Sequence, residues 1–255
     1  MMSRAHVGHR HGNFHQYYDF HPSEERIEML PSWLPQWLSE GSIGGVLHYL
    51  DIGCNSGALT ESVHRFLRAG SASVRTLGME LDEALVERAK TNYQSNLLSF
   101  VAIDIMKEEE KFGVLCSSFL QDESKTRFDL VSLFSITMWI HLNFGDEGLD
   151  RILQRVKTIA RVLVVEPQPW KCYRKAARRL RSMGQPPLPF WGPDGPELSV
   201  RSAAVLEHIA AQLMTGPDRF DSRMSLGTNK WGRTVDVYYR KLRPRTAAAV
   251  AKFVE

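Results

Sequence analysis

The chain has 255 residues, of which 43% are hydrophobic and 24% charged, and its formal net charge is +3. This composition is enough for one large globular domain, and no apolar run approaches the ~20 residues of a membrane helix. The first twelve residues lack the apolar centre of a signal peptide, and the three cysteines form neither a paired metal-binding spacing nor a disulfide framework. We therefore expect a protein of a reducing compartment, the cytoplasm, with no metal site and no membrane partner.

The N-terminal segment is rich in histidine and aromatic residues. We expect residues 1–11 to form a flexible tail, whereas residues 12–21 are too aromatic for a free tail and are predicted to pack across the domain. Their rings and histidines are candidates to line a nucleotide site, or they fill a lid against the core. A zinc site is disfavoured because no cysteine or regular ligand spacing accompanies the histidines.

Two short helices are predicted before the first strand. The first begins at Ser23, a candidate N-cap followed by two acidic residues, and ends before Pro31. The second covers residues 32–39. Residues 12–45 thus form an N-terminal lid and helical segment ahead of the first strand.

The stretch Leu50–Gly57, with the sequence LDIGCNSG, connects an apolar strand over 46–52 to a helix over 58–67. Gly53 and Gly57 remove Cβ where the backbone must turn tightly or let a ligand approach. Free backbone N–H groups at the start of the helix suit a polar or anionic ligand group. A tight strand-to-helix turn without a ligand has the same spacing.

Acidic residues end the next two predicted strands. Glu80 ends strand 74–80 and suits ribose hydroxyls. It lies somewhat farther from Gly53 than the ~20 residues that separate the glycines and the acid of the dinucleotide fingerprint. Asp104 ends strand 98–104 and suits the exocyclic amine of adenine. A turn followed by two acids resembles the S-adenosylmethionine-dependent methyltransferases, whereas the G-x-G-x-x-G pattern of the nicotinamide enzymes is not met.

The remaining periodicity predicts an α/β fold, a Rossmann-like methyltransferase domain over 12–243 with a mostly parallel seven-stranded sheet and helices on both faces. A loop insertion is expected over 185–199, and a tail over 244–255. The further predicted elements are strands 128–135, 161–166 and 234–240, the last paired with a strand near 222–226, and helices 82–92, 112–120, 146–159, 171–181 and 200–214.

Every charged residue between 171 and 181 is Lys or Arg, and Arg174, Arg178 and Arg181 fall three or four residues apart. A helix presents these cations as one basic face directly after the end of the fifth strand. The pattern favours a polyanionic partner, with an ordinary solvated face as the alternative.

Three motifs resemble the bicoid-interacting-domain RNA methyltransferases. They are DIGCNSG at 51–57, SITMWIHLN at 135–143 and VEPQPWKCYR at 165–174, and the likeness runs from about 12 to 181. The resemblance implies an S-adenosylmethionine-dependent enzyme that methylates the 5′-monophosphate of small structured RNAs, with histidine-accepting transfer RNA and microRNA precursors as substrates. We expect a cytoplasmic monomer.

The resemblance also implies roles for individual residues. Arg26 is expected to pair with the methionine carboxylate of the cofactor. Lys171 and Arg174 are expected to hold the 5′-phosphate, with Tyr17, His21 and Tyr173 as hydrogen-bond or stacking partners, while His141 and Asn143 shape the acceptor pocket. A phosphate oxygen is already anionic, so no general base is required. The implied cofactor contacts are Arg26, Gly53, Asn55, Glu80, which stands where the family usually has Asp, Asp104, Ile105 and Phe134.

Three other functions remain open at this stage. One is methylation of the γ-phosphate of an RNA 5′-triphosphate, and another is methylation of a protein or small molecule. The third is a non-catalytic RNA-binding module that retains the fold. The basic helix and the 135–143 motif disfavour the second, and the intact glycine turn with both acids disfavours the third.

Overall fold

The computed structural model describes residues 10–12, 14–42, 45–70, 73–120, 125–191 and 198–241. Its centre is one seven-stranded sheet in the order β3-β2-β1-β4-β5-β7-β6. Strands β1 to β5 are parallel, and β7 runs antiparallel between β5 and β6. The predicted α/β fold with a mostly parallel seven-stranded sheet is confirmed. The strands are β1 (Val46–Ile52), β2 (Ser73–Glu80), β3 (Leu98–Ala102), β4 (Phe128–Phe134), β5 (Ala160–Glu166), β6 (Ser222–Thr228) and β7 (Thr234–Tyr239).

Helices cover both faces of this sheet. Alternate residues of β1 point to opposite faces, so Leu50 and Ile52 join one apolar cluster and Leu47 and Tyr49 join the other. No helix in the described ranges is long and apolar enough to cross a membrane. The helices are α1 (Tyr17–Phe20), α2 (Glu24–Met29), α3 (Leu34–Glu40), α4 (Ala58–Arg68), α5 (Glu83–Tyr93), α6 (Glu109–Leu120), α7 (Thr137–Ile159), α8 (Trp170–Ser182) and α9 (Ala204–Met214).

Strand β1 pairs with β2 on one side and with β4 on the other. The chain order therefore reverses between β1 and β4, and open α/β sheets bind ligands outside the carboxyl ends of strands at such a switch point. The structure thereby places the turn after β1 and the residues after β4 at the edge where a ligand is expected.

Some predicted elements differ from the structure. Helix α7 begins at Thr137, well before the predicted 146, because residues 137–143 of the motif are themselves helical. Gly145 has a φ of 71° and interrupts the helix at that residue. Only the half of α7 that follows Gly145 was therefore predicted as a helix. Ser23 does not cap α2, since its backbone is already helical and its side chain makes no cap hydrogen bond.

The expected flexible tail over 1–11 lies outside the described residues apart from Arg10 and His11. The expected tail over 244–255 lies entirely outside them, as do residues 192–197 of the expected loop insertion over 185–199.

Candidate active site

An open cleft lies at the carboxyl edge of β1, β2, β3 and β4. Among the residues that the structure describes, no group of three or more His, Cys, Asp or Glu side chains is placed to hold a metal ion. The predicted residues on the cleft wall are Tyr17, Gly53, Asn55, Glu80, Asp104, Ile105 and Phe134.

The glycine turn after β1 forms the floor of this cleft. Gly53 has a φ of 81°, and a Cβ at this position would collide with the Ile136 side chain. Asn55 also has a left-handed φ of 51°, and its backbone N–H donates to Glu80 Oε2 at 2.9 Å. The Ser56 N–H donates to Asn55 Oδ1 at 2.8 Å. The backbone N–H groups of Asn55 and Ser56 therefore already bond within the protein, whereas the free N–H groups were expected at the start of the following helix.

Glu80 is a buried carboxylate that organises the turn. It accepts the backbone N–H groups of Asn55 at 2.9 Å, Leu81 at 2.8 Å and Asp82 at 3.1 Å. Burial raises the pKa of Glu80 even though these three hydrogen bonds oppose the shift. Because a carboxylate offers about four acceptor positions, these three hydrogen bonds leave one position of Glu80 open.

Asp104 lies across the cleft floor after β3. Its Oδ1 accepts the Met106 N–H at 3.1 Å, and its Oδ2 lies 3.2 Å from Lys107 Nζ. Ile105 follows it on the cleft wall, and Phe134 provides an apolar surface at the end of β4. The site therefore combines carboxylates with apolar walls, which suits a ligand carrying both a polar sugar and a flat ring.

The N-terminal segment crosses the open side of the cleft. Asn55 Nδ2 donates to the Phe14 carbonyl at 3.2 Å, and Asn143 Nδ2 donates to the Arg10 carbonyl at 3.0 Å. Tyr18 Oη donates to the Cys54 carbonyl at 3.3 Å. These contacts tie the segment to the turn after β1 and to α7, so that His11, Gly12, Tyr17 and Tyr18 line the cleft.

Arg26 is a fully buried arginine that pairs with Glu166 at the end of β5. Its Nε lies 2.7 Å from Glu166 Oε2 and its Nη2 lies 2.9 Å from Oε1, a bidentate pair. Arg26 does not lie on the cleft wall, and its ion-pair partner is this protein carboxylate. Only Nη1 lacks a partner among the described atoms. The predicted pairing of Arg26 with a cofactor carboxylate is therefore restricted to that one nitrogen.

Arg233 joins the same carboxylate and was not predicted from the sequence. It lies in the turn between β6 and β7, and its Nη1 donates to Tyr17 Oη at 3.0 Å, Ser135 Oγ at 2.6 Å and Glu166 Oε1 at 3.1 Å. Burial alone would raise the pKa of Glu166, but the Arg26 and Arg233 guanidinium groups hold it below its usual value. The charged network thus lies directly behind the Tyr17 and Ser135 side chains of the cleft wall.

The residues predicted to hold a phosphate lie beside the cleft. His21 stacks on Tyr17 with ring centroids 4.7 Å apart. Burial, together with the charges of Arg233 and Arg26, lowers the pKa of His21 to about 4, so it is neutral at pH 7. Lys171 is exposed at the start of α8 and approaches the β6–β7 turn, where a Cβ at Gly232 would come within 2.6 Å of its Nζ.

His141 does not line the cleft, which corrects the expectation that it shapes the acceptor pocket and helps to position the phosphate. It is completely buried, with Nδ1 3.0 Å from Tyr173 Oη and Nε2 2.6 Å from Asp146 Oδ1. Asp146 also accepts the Ser199 N–H at 2.7 Å. Because both ring nitrogens are engaged and Tyr173 is equally buried, neither side chain can contact a phosphate in this structure. The contact between His141 and Tyr173 instead joins α7 to α8.

Helix α8 presents an exposed basic surface next to the lid. Tyr173, Ala176 and Leu180 face the core, while Arg179 lies over the Phe14 ring at 4.5 Å from its centroid. Within the described part of the chain, no carboxylate forms a salt bridge with a cation of this helix. The exposed cations, called the α8 basic face below, are Lys171, Arg174, Lys175, Arg178, Arg179 and Arg181.

Comparison with known proteins gives consistent results. A family model described as Bicoid-interacting protein 3 (Bin3) matches residues 128–240. The chain is 36% identical to an RNA 5′-monophosphate methyltransferase of Rattus norvegicus, over 93% of this chain and 85% of the relative. It is 35% identical to a pre-miRNA 5′-monophosphate methyltransferase of Xenopus laevis, over 88% and 90%. A 7SK snRNA methylphosphate capping enzyme of Mus musculus is 27% identical, over 65% of this chain and 32% of the relative.

Solved structures resemble the fold at lower identity. The N-methyltransferase NodS of Bradyrhizobium japonicum, in complex with S-adenosyl-L-homocysteine, has a TM-score of 0.50 and 17% identity, covering 88% of this chain and 90% of its own. The bifunctional kinase-methyltransferase WbdD has a TM-score of 0.51 and 14% identity, covering 88% and 42%. These likenesses establish the methyltransferase fold.

Proposed function

Because the chain belongs to the Bin3 family, we propose that it is an S-adenosylmethionine-dependent O-methyltransferase that acts on the 5′-monophosphate of small RNAs. The observation that carries the proposal is the position of the cleft, at the switch point of the sheet and beside the α8 basic face. A small-molecule site and a surface for a polyanion therefore share one edge of the molecule.

The residues of the cleft fit the proposed cofactor. Glu80 and Asp104 offer acceptor oxygens for ribose hydroxyls and an adenine amine, and Ile105 and Phe134 offer apolar surface for the ring. Arg26 Nη1 has no partner among the described residues, but Arg26 does not line the cleft, so this atom does not by itself place a ligand carboxylate. When bound, S-adenosylmethionine supplies a methyl group on a sulfonium sulfur that leaves as a neutral thioether.

The protein's own part in the reaction is to bind and orient the acceptor. A terminal phosphate is anionic at pH 7, so its oxygen needs no general base. What it needs is alignment, which depends on donors held in fixed positions. We assign Lys171 and Arg174 to the phosphate at the start of α8, with Tyr17 as a hydrogen-bond donor and His21 as its stacked neighbour.

The finer parts of the proposal concern the substrate and its setting. MicroRNA precursors are supported by the Xenopus laevis relative, and histidine-accepting transfer RNA by the resemblance of the three motifs. We also propose that the protein is a monomer of the cytoplasm, where its cysteines remain free thiols.

The test is incubation of the purified protein with radiolabelled S-adenosylmethionine and one RNA sequence bearing a 5′-hydroxyl, monophosphate or triphosphate. We expect methyl transfer to the monophosphate, with little or none to the other two. Equal labelling of the hydroxyl RNA would contradict the proposal, and preference for the triphosphate would favour γ-phosphate capping. Calorimetric titration with S-adenosylhomocysteine tests the non-catalytic alternative, because a pure RNA-binding module would give no heat of binding.

A further inference from the structure

Three buried nitrogen atoms without hydrogen-bond partners gather around one side chain. They are His21 Nδ1, Arg26 Nη1 and Arg233 Nε, and all three residues contact Tyr17. Arg26 Nη1 and Arg233 Nε always carry a proton, and buried donors are nearly always paired, so these two point to a missing acceptor. The surroundings of Tyr17 are therefore built for an anionic ligand group.

The hydroxyl of Tyr17 is held in an unusual way. Its oxygen accepts one hydrogen bond from Arg26 Nη2 at 2.8 Å and another from Arg233 Nη1 at 3.0 Å. Two donors occupy both lone pairs of the phenol oxygen, so its own proton must be donated elsewhere. No acceptor for that proton exists among the described residues, and Tyr17 lies on the cleft wall.

Ser135 shows the contrasting arrangement. Its hydroxyl accepts from Arg26 Nη2 at 3.3 Å and from Arg233 Nη1 at 2.6 Å, and it donates to Glu166 Oε1. The Ser135 proton is therefore committed to a partner inside the protein. Of the two hydroxyls that both arginines contact, only that of Tyr17 has a donor to offer a ligand.

The three paired side chains of this network carry one net positive charge. Arg26 and Arg233 contribute two positive charges, and their shared partner Glu166 contributes one negative charge. The excess positive charge lies one hydrogen bond behind the Tyr17 hydroxyl. It favours an anionic oxygen in front of that hydroxyl without forming a direct ion pair that would reduce the nucleophilicity of the acceptor.

We propose that Arg233 is a positioning residue that, together with Arg26, directs the Tyr17 proton into the cleft to bind a non-reacting oxygen of the acceptor phosphate. This inference rests on the proposed function and adds to it a residue of the β6–β7 turn. The donor is neutral and fixed in direction, so it restrains the phosphate while another oxygen remains free to accept the methyl group.

A double-mutant cycle tests this inference with Arg233→Met, Tyr17→Phe and both together. We expect each single variant to lower kcat by about 10- to 100-fold, and the double variant to be no worse than Tyr17→Phe alone. Affinity for S-adenosylhomocysteine should stay within about twofold of the wild type. Arg223→Met is the matched control, because Arg223 lies on the same hairpin and pairs with Asp236; its kcat should not change.

The possible outcomes separate the inference from the proposed function. If the wild type transfers no methyl to 5′-monophosphate RNA, the proposed function fails. If the wild type is active but the losses of the two single variants add, Arg233 acts independently of Tyr17 and the inference fails. Loss of S-adenosylhomocysteine affinity in Arg233→Met would assign the residue to the cofactor and also overturn it. Should Arg233→Met not fold, the same cycle is run with Arg233→Lys, which keeps the charge.

Discussion

Removing two arginines from the α8 basic face should weaken RNA binding without affecting the cofactor. Arg174 and Arg178 are exposed, lie on one side of the helix and have no carboxylate partner among the described residues. Four residues of helix advance about 6 Å, more than the ~3.4 Å step of a stacked strand, so the two side chains can reach different phosphates. We therefore treat them as two separate phosphate contacts.

The expected size of the effect follows from counterion release. Each phosphate contact with a single strand contributes about 0.7 to the slope of log affinity against log salt. Arg174→Ala combined with Arg178→Ala should lower that slope by about 1.4 and weaken binding about tenfold at 0.15 M salt. Stability should change little, because both side chains are exposed.

The assay is fluorescence anisotropy of a 3′-labelled 5′-monophosphate RNA between about 50 and 200 mM salt. The matched control is Arg65→Ala with Arg68→Ala, which removes the same charge from the last turn of α4, at the edge of the sheet away from the cleft. An equal loss in this control would show that only net charge matters. An unchanged slope in the α8 variant would refute the reasoning, and calorimetry with S-adenosylhomocysteine checks that the cleft is intact.

Three further predictions concern single buried residues. Glu80→Gln should reduce affinity for S-adenosylhomocysteine about tenfold. In the wild type the carboxylate accepts hydrogen bonds from backbone N–H groups on both oxygens, whereas the amide NH₂ of Gln is a donor and cannot accept them. Unchanged heat of binding would contradict this prediction. His141→Asn should lower the free energy of unfolding by about 1–3 kcal/mol, since Asp146 and Tyr173 lose a buried partner. The kcat of the folded variant should stay within about twofold of the wild type. Loss of activity at unchanged stability would instead show that His141 takes part in the reaction. Burial and Lys125 lower the pKa of His48 to about 4, so the unfolded state binds more protons between that pH and about 6.5. The contribution of His48 to the free energy of unfolding should therefore be fully present above pH 6.5 and decline as the pH falls toward 4. His48→Gln should flatten this decline when thermal unfolding is measured against pH. An unchanged pH profile in the variant would exclude His48 as the source of the decline.

Much of the fold could be predicted because local patterns encode it. Strand β4 is a nearly continuous apolar run, and the glycines after the first strand mark a tight turn, as the collision of a Cβ at Gly53 with Ile136 shows. The acids Glu80 and Asp104 could be placed at the cleft because parallel strands end at one edge. Sequence position relative to a strand end was sufficient for these residues.

The rest depends on contacts between distant parts of the chain. Arg233 reaches the site only because β7 inserts beside β5, and no local pattern around residue 233 signals that position. His141 belongs to a motif next to the cleft, yet its side chain turns inward to Asp146, a direction that the helix start at Thr137 decides. Residues 137–143 were not predicted as helix, so the direction of His141 could not be predicted.

Glu166 joins distant parts of the polypeptide, since Arg26 precedes it by 140 positions and Arg233 follows it by 67. During synthesis on the ribosome, Arg26 emerges long before its carboxylate partner, and Arg233 emerges later still. The wall of the cleft behind Tyr17 is therefore complete only once the β6–β7 hairpin has been released and paired. A nascent chain that stops before Arg233 lacks that wall, so this side of the cleft matures only after the hairpin has emerged.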